Sequence, residues 1–150
     1  MQDWTSHSAA EGGQSLLEFA VLMPITLLML LVVLDLAMAV DRKTTLDDAL
    51  REGARAAALG ASETTVAAVV TNGASGLFDA GAVSVCYYDV DGNGSPGDFG
   101  DGAMVSIEYT YKFLVGEELT EAFGLGTPEM SMTPEAHVRL EQNISVAPEC

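Results

Sequence analysis

Residues 19–40 read FAVLMPITLLMLLVVLDLAMAV, twenty-two residues whose single charge is Asp35. At 1.5 Å per residue a helix of that length spans roughly 33 Å, the thickness of a bilayer's hydrocarbon core. A secretory signal peptide has a basic start, a shorter apolar core and a small-residue cleavage site behind it. Here the preceding MQDWTSHSAAEGG holds no Lys or Arg, the apolar run is long, and Arg42-Lys43 follow it as a stop-transfer flank would. The stretch therefore reads as a membrane anchor. Asp35, deep within it, either faces another subunit or snorkels toward the outer surface, and the nearness of Asp41 to Lys43 favours the second.

Working outward toward the C-terminus, Leu46, Leu50, Gly53 and Ala57 recur at helical spacing. Asp47, Asp48, Arg51, Glu52 and Arg55 fill the opposite face, with Asp47 and Arg51 placed as an i, i+4 ion pair. No Pro interrupts residues 25–60, so one helix is expected from about Ser15 to Leu59, stopped by Gly60. Ser62 before Glu63-Thr64-Thr65 is an N-cap signature for a short second helix to about Ser75.

The period then changes. Residues 82–90, AVSVCYYDV, are β-prone, and residues 104–113 alternate, with Val105, Ile107, Tyr109, Tyr111 and Phe113 on one face. Residues 130–141 alternate too, Met130, Met132, Ala136, Val138 and Leu140 facing inward, while Pro134 calls for an edge position or a bulge. The expected fold is α+β: a long N-terminal transmembrane helix, a short second helix and a small antiparallel sheet. It divides into a leader at 1–13, a helix at 14–60 with its transmembrane part at 19–40, and a domain at 61–150 on the far side of the membrane.

Net charge is −16, and from Asp79 onward thirteen acidic residues face only Lys112 and Arg139. Nucleic acid is excluded as a partner on that balance, because binding it requires basic side chains against phosphates. Cys86 and Cys150 are the only cysteines. In an oxidising compartment they make one disulfide; otherwise they are two independent thiols, and spacing alone does not decide between these.

Upstream of the span lies Gly12-Gly13-Gln14-Ser15-Leu16-Leu17-Glu18-Phe19. A small flexible pair precedes a helix that carries one carboxylate where it meets the bilayer, and a charge there is costly. If the chain is cut after Gly13, Gln14 becomes the N-terminus and Glu18 the fifth mature residue. In a stack of parallel helices the Glu18 carboxylate then faces the α-ammonium of a neighbour. Losing either charge strands the other, at about 3 to 5 kcal/mol. Taken alone, Gly12-Gly13 is equally a plain linker and Glu18 a helix-start carboxylate favoured by the macrodipole.

This run resembles the class IVb prepilin motif of the tight-adherence (Flp) pilus system. With Pro24 and Arg51-Glu52-Gly53-Ala54-Arg55, it resembles the TadE-like pseudopilins more than the short major pilin, and the later strands through Val138-Arg139-Leu140-Glu141 extend the likeness over nearly the whole chain. The resemblance implies that a membrane-embedded prepilin peptidase cuts between Gly13 and Gln14, and that Glu18, followed by Phe19, is the assembly glutamate. It also implies a minor subunit that initiates or caps a pilus used for surface adhesion or secretion. Its partners would be other pilin or pseudopilin subunits, the peptidase and an inner-membrane assembly platform. One departure is the leader, which is usually basic in that family and here carries Asp3 and Glu11. Charge alone favours the opposite topology; an N-terminus inside is expected because the peptidase works at the cytoplasmic face and two cysteines suit an external domain.

Between the first strands, Asp89-Val90-Asp91-Gly92-Asn93-Gly94 opens like an EF-hand loop, with Asp89, Asp91 and Asn93 at its first three ligand positions. The twelfth position is Gly100 instead of Glu, so Asp98 or Asp101 would have to complete a calcium site in another geometry. The competing reading is a solvated connection rich in turn formers. Asn143-Ile144-Ser145 fits a glycosylation acceptor pattern. His7 and His137 stand apart, and no nucleophile, acid/base pair or phosphate-cradling loop is placed for chemistry. No enzymatic activity and no required cofactor are expected. The rival from another class is an uncleaved single-pass extracellular binding protein whose acidic loop holds calcium.

Overall fold

The computed structural model of the chain describes residues 8–74, 76–78, 80–115, 124, 128–144 and 148–150. Helix α1, Ser8–Ala58, runs for 51 residues. It starts earlier than the expected Ser15 and continues through Gly12 and Gly13, because Ala9, Ala10 and Glu11 are good helix formers and extending an existing helix needs no new nucleus. Within the apolar stretch the Thr26 hydroxyl donates to the carbonyls of Leu22 (2.8 Å) and Met23 (3.0 Å), so it brings no unpaired polar group to the surface. Gly60 ends the helix as expected. Its φ is 71°, its N–H donates to Ala57 O at 2.9 Å, and the Ala61 N–H reaches Ala56 O at 3.1 Å, the paired bonds of a Schellman motif.

Helix α2, Glu63–Gly73, is capped by Ser62, whose hydroxyl accepts from the Thr65 N–H. It lies against the upper part of α1 through small residues. A Cβ on Gly53 would collide with Val70 Cγ2, and one on Gly73 would come within 3.2 Å of Ala49 Cβ.

Five strands follow: β1 Val83–Tyr88, β2 Gly102–Ile107, β3 Tyr109–Lys112, β4 Glu129–Met132 and β5 Glu135–Arg139. β1, β2 and β5 form one antiparallel sheet in that order, and β3 pairs with β4 in a second. The strand expected over 104–113 is thus split at Glu108, and the 130–141 stretch is split at Thr133-Pro134. The two ladders nevertheless share one register. β2–β5 pairing ends with Ser106 opposite Glu135, β3–β4 pairing begins with Tyr109 opposite Met132, and the Ile107 N–H donates to Pro134 O between them. It is one long hairpin interrupted where Pro134 has no N–H to give. Alternation survives the break, with Val105, Ile107 and Tyr111 all buried.

The core joins Leu46, Leu50, Ala54 and Ala57 of α1 to Val66 and Val70 of α2 and to Val83, Val85, Tyr87, Ala103, Val105, Ile107 and Leu140. Each large apolar side chain so enclosed contributes about 1.5 to 3 kcal/mol. The C-terminus is tied to β1: Tyr87 N–H donates to Pro148 O (2.8 Å), Cys150 N–H to Tyr87 O (3.0 Å), and Cys86 is disulfide-bonded to Cys150.

Candidate functional site

The helix start carries the first group of candidate residues. Gly13 and Gln14 lie inside α1 in the uncut chain, so a peptidase acting between them must open helical backbone. Two successive glycines lower that cost by about 1 kcal/mol each relative to alanine. Gln14 Nε2 donates to Glu18 Oε1 at 3.2 Å, and both side chains are exposed, as is Phe19. From residue 14 to residue 34 every side chain is exposed, although nearly all are apolar. α1 is the one helix among the described residues long and apolar enough to cross a membrane.

Asp35 ends that bare stretch, and it neither snorkels nor faces outward. It is 2% exposed. Oδ1 accepts the Tyr111 hydroxyl at 2.8 Å and Oδ2 accepts the Val115 N–H at 3.1 Å, so the carboxylate is held by the chain's own β3 and the turn behind it. The tyrosine answers in kind. Burial first, then the bond to Asp35 and its charge, push the Tyr111 hydroxyl up to about 12. A charge in an apolar segment announced that a partner was needed; Tyr111, on the inward face of an alternating strand 76 residues later, was the partner that spacing could not name.

This contact marks where the bare stretch of α1 ends on the domain's side. Unpaired strand edges are not tolerated in hydrocarbon, and the β3–β4 ladder packs at the level of Asp35. On the domain's side the bare stretch of α1 thus runs over 14–34, roughly 31 Å at 1.5 Å per residue, against the 19–40 expected for the transmembrane part. The side of α1 away from the domain stays apolar through Leu36, Met38 and Val40, all exposed.

Farther up, the basic and acidic residues of α1 are a solvated face. Lys43 pairs with Asp47 (2.8 Å) and Arg51 with Asp48 (3.2 Å), in place of the expected Asp47–Arg51 pair. Both are exposed i, i+4 or i, i+3 pairs, and Arg51 had two carboxylates at suitable spacing, Asp47 and Asp48, to choose between.

The acidic loop folds around Asp101. That carboxylate is 1% exposed and accepts backbone N–H groups from Val90 (3.1 Å), Gly97 (3.1 Å) and Asp98 (3.0 Å). Asp89 accepts from Gly92 (2.7 Å) and Gly94 (2.6 Å), and the Gly94 N–H foremost holds its carboxyl below the usual range. Oxygens of Asp89, Asp91 and Asp101 lie within 4.8 Å of one another, whereas Asp98 stands outside that group. Asn93 turns its amide N–H toward Asp91 and Asp98, at 3.1 and 3.3 Å. The loop thus brings together three of the five expected ligands, and its own backbone N–H groups already bond to all three, Asp91 accepting from Asn93 at 3.0 Å. Of the glycosylation triplet, Asn143 Oδ1 accepts the Phe99 N–H at 2.7 Å, and Ser145 lies outside the described residues. Residues 1–7 of the expected leader lie outside them as well.

Comparison with known proteins returns one family. No curated protein and no solved structure matches the chain. The family match begins at the glycine of the candidate cleavage motif and ends at the second arginine of Arg51-Glu52-Gly53-Ala54-Arg55, and it does not extend over the strands, where a likeness was also expected. It takes in the bare stretch, the buried Asp35 and the face that packs on α2. Over residues 13–55 the chain matches the family of TadE-like proteins, the family its helix start resembles.

Proposed function

We propose that this protein is a minor pilin-like subunit of a tight-adherence pilus assembly, cut by a prepilin peptidase between Gly13 and Gln14. The observation that carries the reading is a helix bare and apolar from 14 to 34 and continuous with a half built into a folded domain, with the family match beginning at the cleavage glycine. Cleavage removes the leader and frees the Gln14 ammonium. Glu18, which accepts from Gln14 one turn back in the uncut chain, then turns to the ammonium of a neighbouring subunit, which sets the register in which the helices bundle.

The role is structural rather than catalytic, in initiating or capping a pilus that serves adhesion or secretion, with other pilin subunits, the peptidase and an inner-membrane platform as partners. The N-terminus is inside and the domain outside. The Cys86–Cys150 pairing supports this, since such bonds persist in oxidising compartments, although Arg42-Lys43 beyond the span pull the other way. The second reading, an uncleaved anchored binding protein with a calcium loop, draws on the approach of Asp89, Asp91 and Asp101.

Intact mass and N-terminal sequencing of the protein made with and without a prepilin peptidase separates the two. The expected result is a peptidase-dependent N-terminus at Gln14 that Gly13→Leu abolishes. An intact Met1 in every preparation sinks the pilin mechanism and leaves the anchored domain.

A further inference from the structure

We propose that the turn after β3, Phe113 to Val115, is a second membrane contact, its apolar side chains seated among the acyl chains of the leaflet nearest the domain. The inference rests on the reading of 14–34 as a membrane span. Asp35 pins this turn to α1 through the Tyr111 hydroxyl and the Val115 N–H, so its depth is fixed at the point where the bare helix ends. At that depth a hollow of about 220 Å³ opens between helix and hairpin, lined by Val32, Asp35, Leu36, Phe113, Val115 and Pro128.

Asp35 is the only charged lining residue, and its oxygens are turned to Tyr111 and Val115. What faces outward is hydrocarbon: Leu114 is 62% exposed and Leu36 53%. An apolar patch with that exposure needs cover. Phospholipid chains are the occupant the geometry supplies, because the patch is continuous with Val32 on the lipid-facing helix. The next ladder position carries Lys112 and Glu129, 3.5 Å apart and both exposed, which suits headgroup depth. Hydrophobic side chains on a short turn beside a spanning helix act as an interfacial anchor, and here they would set the depth at which the lower edge of the domain rests.

The test uses the full chain in phospholipid vesicles. The two native cysteines are bonded to each other, so a single introduced cysteine is the sole free thiol for an environment-sensitive fluorophore. Leu114→Cys is compared with Phe99→Cys, an equally apolar position, 72% exposed, beside the far end of α1, and with Ile25→Cys in the middle of the span. Lipids brominated high on the acyl chain are expected to quench the label at 114 several-fold more than the label at 99, with 25 quenched best by bromines placed deep. Quenching at 114 no greater than at 99, with 25 still quenched, overturns the proposal and leaves the span intact. If 25 is unquenched too, the span itself fails and the proposal with it. Unquenched label at 114 together with cysteine cross-links between copies shows that a second subunit covers the patch, which also overturns it.

Discussion

From Gln14 to Leu34 every side chain of α1 is exposed, whereas from Leu46 to Ala58 one face is sealed against α2 and the sheet, yet non-polar residues make up more than half of each stretch. The difference lies in arrangement. The upper half alternates small and large apolar residues on one stripe and charges on the other, so it is satisfied by its own domain. In the lower half apolar residues go all the way round, which no single neighbouring element can cover; only a solvent of lipid, or several helices at once, can. The helix is thus two components on one axis, divided at Asp35.

The division is open to attack, and the largest effect should come from the domain's cross-link. Cys150→Ser opens a loop of sequence separation 64, and urea unfolding in detergent micelles should show the domain weakened by about 4 kcal/mol, while helicity of the lower half is unchanged. A loss of lower-half helicity would mean that the two halves are one cooperative unit. Next, Leu50→Ala should cost about 3 kcal/mol in the same assay, because it empties a fully buried site. Leu30→Ala, on the bare half, should leave the unfolding midpoint where it was.

At the boundary itself, Asp35→Ala should cost about 2 kcal/mol, since the Tyr111 hydroxyl and the Val115 N–H lose their acceptor. It has a sharper signature in alkali. Because the folded Tyr111 hydroxyl is raised from 10.0 to about 12, its contribution is complete below pH 10 and is lost as pH climbs from 10 to about 12. Ultraviolet titration should therefore show a last tyrosine step near 12 that Tyr111→Phe deletes and Asp35→Ala shifts downward. An unshifted step in Asp35→Ala would show that the boundary contact is not formed. The smallest change is Lys43→Ala, which removes an exposed pair and should move the domain's stability by about 0.5 kcal/mol or less.

Much of this was legible one element at a time. The apolar run, the Ser62 cap, the Gly60 stop and the inward faces of the strands follow from local periodicity and backbone chemistry, and each appears where the pattern put it. What eluded the sequence depends on meetings between distant residues. Nothing near Asp35 indicates that Tyr111 will reach it, so local reasoning sent it toward the surface. The 104–113 alternation read as one strand because a ladder break at Pro134 leaves its trace on the opposite chain. In the acidic loop five candidate ligands were visible in sequence, but that Asp89, Asp91 and Asp101 are the ones that meet, with three backbone donors on Asp101, is visible only once the loop is folded. At the helix start, Gly13, Gln14 and Glu18 were identified from their spacing and from resemblance; the fold adds their exposure and the Gln14–Glu18 bond.

The covalent link from the last residue of the chain back to β1 also bears on force. Without that link, a domain held through α1 and pulled at residue 150 would unravel from β5 inward. Here Cys150 is fastened to Cys86, so β2 through β5 lie inside a closed ring, and a pull at Cys150 is delivered to the first strand of the sheet instead of peeling away the last. Load then runs from β1 across the domain into α1, bypassing the acidic loop and the interrupted hairpin, which are left slack.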